Sequence, residues 1–170
     1  MDTTPSPHAD RQRWMAVLAR ANAAELAAHI AAMPDVPGYQ MIRGPEAGLV
    51  MLRGRAGGTG GAFNMGEMTV TRCTLRTDDG ITGHAYCAGR DARQAELAAL
   101  LDALLQDPAR HDGLQNTIIT PLAAAQQNRR DRTARKAAAT RVDFFTLATM
   151  RTTGRTTGRT TGRTTGRTTA

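Results

Sequence analysis

The sequence GLVMLRGRAGGTGGAFNMGEMTVTRCTLRTDDGITGHAYCAGRD, residues 48–91, decides the fold. It holds the runs most typical of β-strands, most of the glycines outside the last twenty residues, and both cysteines. Patterns typical of helices flank it on both sides. We therefore expect a small sheet with helices packed against it.

Four short runs rich in β-formers predict four strands in two hairpins. A Gly-Pro pair separates the first two runs and Asp78-Asp79-Gly80 separates the last two, and both are typical of turns. The predicted strands are residues 38–43, 48–55, 67–77 and 81–87. In the third run Met68 and Val70 have one parity while Cys73 and Leu75 have the other. Because side chains alternate along a strand, this switch predicts a β-bulge near Thr71 and Arg72.

The flanking helices are marked by their caps. Ser6 before Pro7 is typical of a helix start, and Asn22 with Glu25 predicts a second, short helix. Trp14 lies on the apolar face of the first helix, where it either packs in the core or docks a partner.

The helices after the sheet differ in apolar content. Asp91 with Gln94 predicts the start of a strongly apolar helix that Pro108 ends. A second, alanine-rich helix over residues 121–140 has Leu122 as its only large apolar side chain, so we expect it to depend on neighbouring elements. The cluster Arg129, Arg130, Arg132, Arg135 and Lys136 is most simply its solvated side.

The fold class is therefore α+β: a small, mainly antiparallel four-stranded sheet of two hairpins flanked by N-terminal and C-terminal helices. Residues 1–150 are expected to form one domain. Residues 151–170 repeat RTTG with no large apolar side chain. Such a segment cannot offset its ordering entropy, so we expect a disordered tail.

Charge excludes one class of function once the tail is set aside. The chain has a net charge of +7, but the tail supplies five arginines and no acid. The first 150 residues thus carry 17 basic and 15 acidic residues, a net charge of +2. The high isoelectric point is therefore not evidence for nucleic-acid binding.

Composition also indicates the compartment. The N-terminal residues lack the apolar core of a signal peptide, and no run has the ~18 apolar residues of a membrane helix. We expect a cytoplasmic protein in which Cys73 and Cys87 are reduced thiols. The spacing of cysteines and histidines matches no metal site, so no metal is expected.

The loop GRAGGTGGAF, residues 54–63, invites a phosphate-binding interpretation because successive glycine N–H groups can surround an anion. A nucleotide-binding loop would lead into a helix, yet Phe63 and a strand follow this one. Two interpretations remain: a specialised loop that contacts a partner or shared ligand, and a plain flexible connection. Its candidate contact residues are Gly58, Thr59, Gly60 and Phe63.

Arginines add further candidates. Arg72 on the third strand faces either solvent or an anion. Arg90 directly precedes the capped start of a helix at Asp91, where a ligand's anion or a partner's carboxylate would be stabilised. No GxSxG, HExxH or paired catalytic carboxylates occur. The residues alone therefore indicate a protein that works within an assembly, and they predict no catalytic residue.

Four stretches give a family resemblance. RQRWMAVLA (residues 11–19), PEAGLVMLRGRAGGTGGAFNMGEMTVTR (residues 45–72), DGITGHAYCAGRDARQAELAALLDAL (residues 79–104) and RVDFFTL (residues 141–147) resemble the G subunit family of the carbon-phosphorus lyase core complex, PhnG. The ordered combination GTGxxF, GExTVTR, GRDxxxAE and VDFFT is specific, whereas the RTTG tail has no counterpart in the family pattern.

The resemblance implies a non-catalytic or co-catalytic subunit of ribose 1-methylphosphonate 5-triphosphate synthase, a transferase of phosphonate metabolism. Its implied partners are the I, H and J subunits, and it admits the ATP-binding-cassette-like L protein as another. The complex would displace adenine from MgATP with an alkylphosphonate; MgATP is a substrate of the complex, and no cofactor is expected on this chain alone. Glu67, Phe144 and Phe145 join the candidate contact residues on this basis. The alternative is a free-standing small nucleotide-binding or nucleic-acid-binding protein.

Overall fold

The computed structural model describes residues 7–55 and 60–140. The chain divides into two units, residues 1–133 and 134–170, and of the second only residues 134–140 are described. The expected tail, Phe144, Phe145, Gly58 and Thr59 lie outside the described residues. The described helices are α1 (Pro7–Leu18), α2 (Ala23–Ala31), α3 (Ala92–Leu105), α4 (Pro108–Leu114) and α5 (Thr120–Ala139), with a π-helical turn over Gln115–Ile119.

The sheet has three antiparallel strands in the described part of the chain: β1 (Tyr39–Arg55), β2 (Ala62–Thr77) and β3 (Thr82–Ala88), in that spatial order. The α+β class is confirmed, but the four-stranded sheet is wrong. The first two predicted strands are one strand, because β1 stays paired with β2 through the expected Gly-Pro turn. Pro45 is tolerated there because the register shifts around it, and a bulge does not need the N–H that proline lacks.

The bulge predicted near Thr71 and Arg72 is also wrong. β2 pairs with β3 in one unbroken register from Val70–Ala88 to Arg76–Thr82. The extra residues lie in β1 between Met41 and Glu46, and in β2 at Met65, opposite Leu52 and Arg53. Adjacent residues Val70 and Thr71 are both buried. Side chains on both faces of β2 are therefore covered at this point, so the parity of the apolar residues changes here without an extra residue.

The other turn and the caps at Asn22 and Asp91 are confirmed, whereas the expected cap Ser6 lies outside the described residues. Gly80 has φ +83° in the turn between β2 and β3, a conformation that suits glycine. Asn22 and Glu25 form the expected reciprocal cap of α2. Asp91 accepts a hydrogen bond from the Gln94 backbone N–H at 2.9 Å. The Gln94 side chain is not part of that cap and instead donates to the carbonyl oxygens of Ala19 and Ala21, which directly follow α1.

Pro108 has a different role from the expected one. The apolar helix α3 already ends at Leu105, and Pro108 is the first residue of α4, where Asp107 caps the Ala109 N–H at 2.9 Å. The segment expected to be a short connection is therefore α4 followed by the π-helical turn.

Helix α5 depends on its neighbours, as expected. Leu122 is buried, and the Gln126 side chain donates to the carbonyl oxygen of Val17 at 2.9 Å. Arg129 pairs with Glu25 of α2 at 3.1 Å. The whole arginine-rich cluster of α5 is exposed.

A buried carboxylate joins the helices to the sheet. Asp102 of α3 has 0% exposure and accepts hydrogen bonds from Arg11 (2.7 Å), the Trp14 indole N–H (2.9 Å) and the His84 backbone N–H (2.9 Å). Trp14 is itself buried and belongs to the core, not to a docking surface. Gly83 of β3 lies against the α3 backbone so closely that a Cβ would collide with it. The helices therefore cover one face of the sheet tightly.

Candidate functional site

The two longest strands extend well beyond the third. β3 pairs only with Val70–Arg76 of β2, so residues 62–69 of β2 pair with residues 49–55 of β1 alone. At about 3.3 Å per residue this two-stranded ribbon projects roughly 25 Å past the end of β3. We call residues 49–55 and 62–69 the arm.

The arm exposes five large apolar side chains. Their exposed fractions are 64% for Leu49, 53% for Met51, 41% for Leu52, 47% for Phe63 and 65% for Met65. Burying a Leu, Met or Phe completely is worth about 1.5–3 kcal/mol, so each half-exposed side chain would contribute about 1 kcal/mol more on full burial. A two-stranded ribbon is at best marginally stable in water. Exposed apolar surface of this kind marks a place where another surface packs.

The side chains lie on both faces of the arm. Leu49 and Met51 are paired with Thr69 and Glu67 of β2. These two β2 residues have the same parity as the β2 residues that face the helices, so Leu49 and Met51 lie on the face that continues the helix-covered side. Leu52 lies on the opposite face by alternation along β1.

The outer end of the arm carries its other two apolar residues. Phe63 is paired with Gly54, which has the parity of Leu52. Met65 is the extra residue of the register shift between Leu52 and Arg53, and its side chain lies over Gly54, where a Cβ would collide with the sulfur. On the face of the arm away from the helices, the apolar surface therefore continues beyond Leu52 toward the outer end.

The corner between β3 and α3 meets the base of the arm. The Gly89 N–H donates to the Thr69 carbonyl at 2.8 Å, and the Thr71 hydroxyl donates to the Gly89 carbonyl at 2.8 Å. Gly89 has φ +99°, which suits glycine. Arg90, the next residue, is exposed. Asp91 follows it but uses its carboxylate to cap α3.

The structure thus brings several predicted site residues together and separates others. Phe63 and Glu67 lie on the arm, Gly60 lies at its tip, and Arg90 lies beside its base. Arg72 is on the face of the sheet away from the helices, where it pairs with Glu46 at 3.2 Å, so its charge is already partly neutralised.

Four arm residues were missed by sequence reasoning. Leu49, Met51 and Leu52 belong to the run LVML, and Met65 precedes Gly66. A continuous apolar run in a strand is typical of coverage on both faces, whereas a half-exposed strand alternates. That signal was available, and it indicates burial that residues 7–55 and 60–140 do not supply by themselves.

The thiols lie in the core and are unsuited to chemistry. Burial raises the pKa of the Cys87 thiol to about 11, with smaller contributions from Asp91 and Cys73. Burial likewise raises the pKa of Cys73. Because the thiolate is the nucleophile and metal ligand, both groups are inert near neutral pH. Residues 7–55 and 60–140 contain no group of three or more His, Cys, Asp and Glu side chains that could hold a metal ion.

A separate groove of about 580 Å³ lies between α2 and α4 and is mostly apolar, with Arg110 at its wall. Arg110 pairs with Asp107 at 3.3 Å, Asp35 at 3.7 Å and Asp79 at 3.8 Å. These three carboxylates balance the charge of the guanidinium, although Arg110 Nη1 is buried with no hydrogen-bond partner among the described residues.

Tyr39 joins the start of β1 to α3. Its hydroxyl donates to the Glu96 carboxylate at 2.6 Å, which raises the pKa of Tyr39. Burial opposes ionisation of Glu96, but hydrogen bonds from Tyr39 and Arg93 outweigh it and lower the pKa of that carboxyl. This network anchors the strand from which the arm extends.

None of the helices in the described part of the chain combines the length and apolar content needed to cross a membrane. The family model described as "Phosphonate metabolism protein PhnG" matches residues 9–151. A protein from Rhizobium meliloti (strain 1021), named alpha-D-ribose 1-methylphosphonate 5-triphosphate synthase subunit PhnG, is 45% identical over 139 residues. The match covers 82% of this chain and 88% of that relative.

Proposed function

Because the chain belongs to the PhnG family of phosphonate metabolism proteins, we propose that it is a subunit of alpha-D-ribose 1-methylphosphonate 5-triphosphate synthase. The observation that carries this proposal is its 45% identity to a relative with that name, over most of both chains. The exposed apolar arm supports a subunit role, because a soluble chain gains stability when such a surface is covered.

The partners in this proposal are the I, H and J subunits of the carbon-phosphorus lyase core complex, together with the L protein. The reaction uses MgATP and an alkylphosphonate, displaces adenine, and yields ribose 1-alkylphosphonate 5-triphosphate. The compartment is the cytoplasm. This chain binds neither substrate by itself, and MgATP is held in the complex.

The role of the chain is to shape and rigidify a partner's active site. Two of the described histidines are engaged through their rings: His84 Nδ1 contacts the Thr74 hydroxyl at 3.1 Å and His111 Nδ1 contacts the Leu105 carbonyl at 2.8 Å. Among the described residues no carboxylate is hydrogen-bonded to the His84 ring, so the contact between His84 and Thr74 lacks the orienting third group of a catalytic triad. A subunit that fixes the geometry of reacting groups can lower a barrier without touching the reacting atoms.

The candidate contact residues in this proposal are those predicted from the sequence, with the exposed arm residues added. Gly60, Phe63, Glu67 and Arg90 act in docking, with Gly58 and Thr59 in the adjoining loop. Arg72 contacts a partner through the guanidinium surface that Glu46 leaves open. Asp91 acts indirectly, by holding the start of α3 beside Arg90. Phe144 and Phe145 supply a second contact.

The test is adenine release by the reconstituted synthase. The complete set of subunits is mixed with MgATP and methylphosphonate, and free adenine is measured by chromatography with and without this chain. We expect release to fall at least tenfold without it and to return when the purified chain is added. Undiminished release in its absence would contradict the proposal.

The chain alone provides the complementary control. Titration calorimetry of the isolated chain with MgATP is expected to give no binding heat. Adenine release by the isolated chain would contradict the non-catalytic role and favour a free-standing enzyme.

A further inference from the structure

The free edge of β2 continues the line of β3. The Gly89 N–H is bonded to the Thr69 carbonyl, so the main-chain groups of Thr69 point toward the β3 side. Since this direction alternates along a strand, the main-chain groups of Glu67 point to the same side. Among the described residues no strand pairs with β2 there, because its pairing with β3 begins at Val70. An added strand would extend the sheet where β3 stops.

The two faces of the arm would then need cover as well. Leu49 and Met51 lie on the face that continues the helix-covered side, whereas Leu52, Phe63 and Met65 lie on the other. A flat surface can cover only one of them. An occupant that covers both faces and one edge must form a cleft around the arm.

Charge discriminates between a second copy and a different polypeptide. The arm carries Arg53 and Arg55 near its outer end and Glu67 as its acid. Arg53 and Arg55 make no ion pair with any residue in the described ranges. Two copies pairing through their arms would bring four arginines together against two glutamates. Like charges at close range oppose the association of two copies. Carboxylates of a different polypeptide, placed against the arginines, would favour association with that polypeptide.

We propose that the arm inserts into an apolar cleft of a different subunit, which adds a strand beside Glu67 and places carboxylates against Arg53 and Arg55. This rests on the proposed function, because the partner is one of the other synthase subunits.

Co-expression of the tagged full-length chain with those subunits tests the proposal. The first variant pair is Leu49→Ser with Met51→Ser, and the second is Leu52→Ser with Phe63→Ser. Each pair should lower the recovered partner about tenfold or more, since buried apolar anchors dominate binding. The control is Ile42→Ser, which is 54% exposed but lies outside the arm. It should retain recovery within about twofold, as expected of residues outside the hot spot.

Charge reversal tests the chemistry of the partner. Arg53→Glu with Arg55→Glu should lower recovery about tenfold, whereas Arg130→Glu with Arg132→Glu on α5 should not. Assembly of the wild type should weaken with added NaCl, because salt screens exposed charge pairs. Circular dichroism and unfolding midpoints of all variants verify that the fold is retained.

The outcomes separate the two proposals. If the wild type recovers its partners and both double-serine variants of the arm recover them equally well, the insertion is contradicted while the proposed function stands. Loss from one face only also contradicts insertion, since it indicates a flat contact. An isolated chain that is dimeric by light scattering, and monomeric in the arm variants with partner recovery unchanged, would identify a second copy as the occupant and overturn the proposal. A wild type that recovers no subunit contradicts the proposed function, and the insertion with it.

Discussion

Replacing Asp102 with alanine should destabilise the fold more than any other single loss of a polar side chain in the described residues. Asp102 is fully buried and accepts hydrogen bonds from Arg11, the Trp14 indole N–H and the His84 backbone N–H. The three donors belong to α1 and β3, so one carboxylate joins α3 to both. Asp102→Ala therefore removes the shared partner of these three groups, and also a weaker contact from Gln106 Nε2 at 3.4 Å.

The magnitude follows from the exposure of each donor. A buried donor left without a partner costs about 1–3 kcal/mol, which applies to the indole of Trp14 and to the backbone N–H of His84. The Arg11 side chain is 31% exposed, so water can replace part of its lost contact and its contribution is small. The expected loss in the free energy of unfolding is about 4 kcal/mol, within the range for breaking a buried ion pair.

Urea unfolding measures this loss directly. Trp14 is the chain's single tryptophan and lies within the network, so its fluorescence reports the unfolding. The matched control is Asp10→Ala on α1, whose carboxylate pairs with Arg13 at the surface and should contribute less than about 1 kcal/mol. Asp102→Asn should fall between the two, since an amide oxygen still accepts while its NH₂ faces the donors. A loss below about 1 kcal/mol for Asp102→Ala would refute the reasoning.

Three further predictions concern the sheet, the core and a helix cap. Gly83→Ala should cost about 1–3 kcal/mol in urea unfolding, because the new Cβ collides with the α3 backbone; Gly113→Ala, which has open space around it, should be neutral or stabilising. Since folding raises the pKa of Cys87 from 9.0 to about 11, its contribution to stability should be complete below pH 9 and lost between pH 9 and 11. Cys87→Ala should flatten that part of the stability curve, and an unchanged slope would contradict the assignment. Asn22→Ala should cost about 1 kcal/mol in thermal unfolding, with an unaltered midpoint counting against the cap.

Local signals in the sequence were sufficient for the caps and for one turn. Asn22, Asp91 and Gly80 act on backbone groups within three residues, so their roles can be predicted without knowledge of the tertiary structure. Gly44 and Pro45 gave the same kind of signal and the prediction was wrong. There the pairing with β2 overrides the local turn preference, and a bulge accommodates the proline.

The arm could not be derived from periodicity alone. Whether Leu49 and Met51 are covered depends on how far β3 and the helices extend along β2, which is a property of the whole fold. Asp102 was missed for a related reason. An acidic residue among leucines of α3 becomes a meeting point only when Trp14 and His84 are brought to it from 88 and 18 residues away.

Hydrogen–deuterium exchange of the chain, free and assembled with the other synthase subunits, tests the central claim most directly. In the free chain, amides of residues 49–55 and 62–69 should exchange quickly, because an uncovered two-stranded ribbon opens easily. On assembly these amides should become strongly protected, while those of α3 should be unaffected because they are already buried. Protection confined to regions outside the arm would contradict the claim that the arm is where this subunit meets its partner.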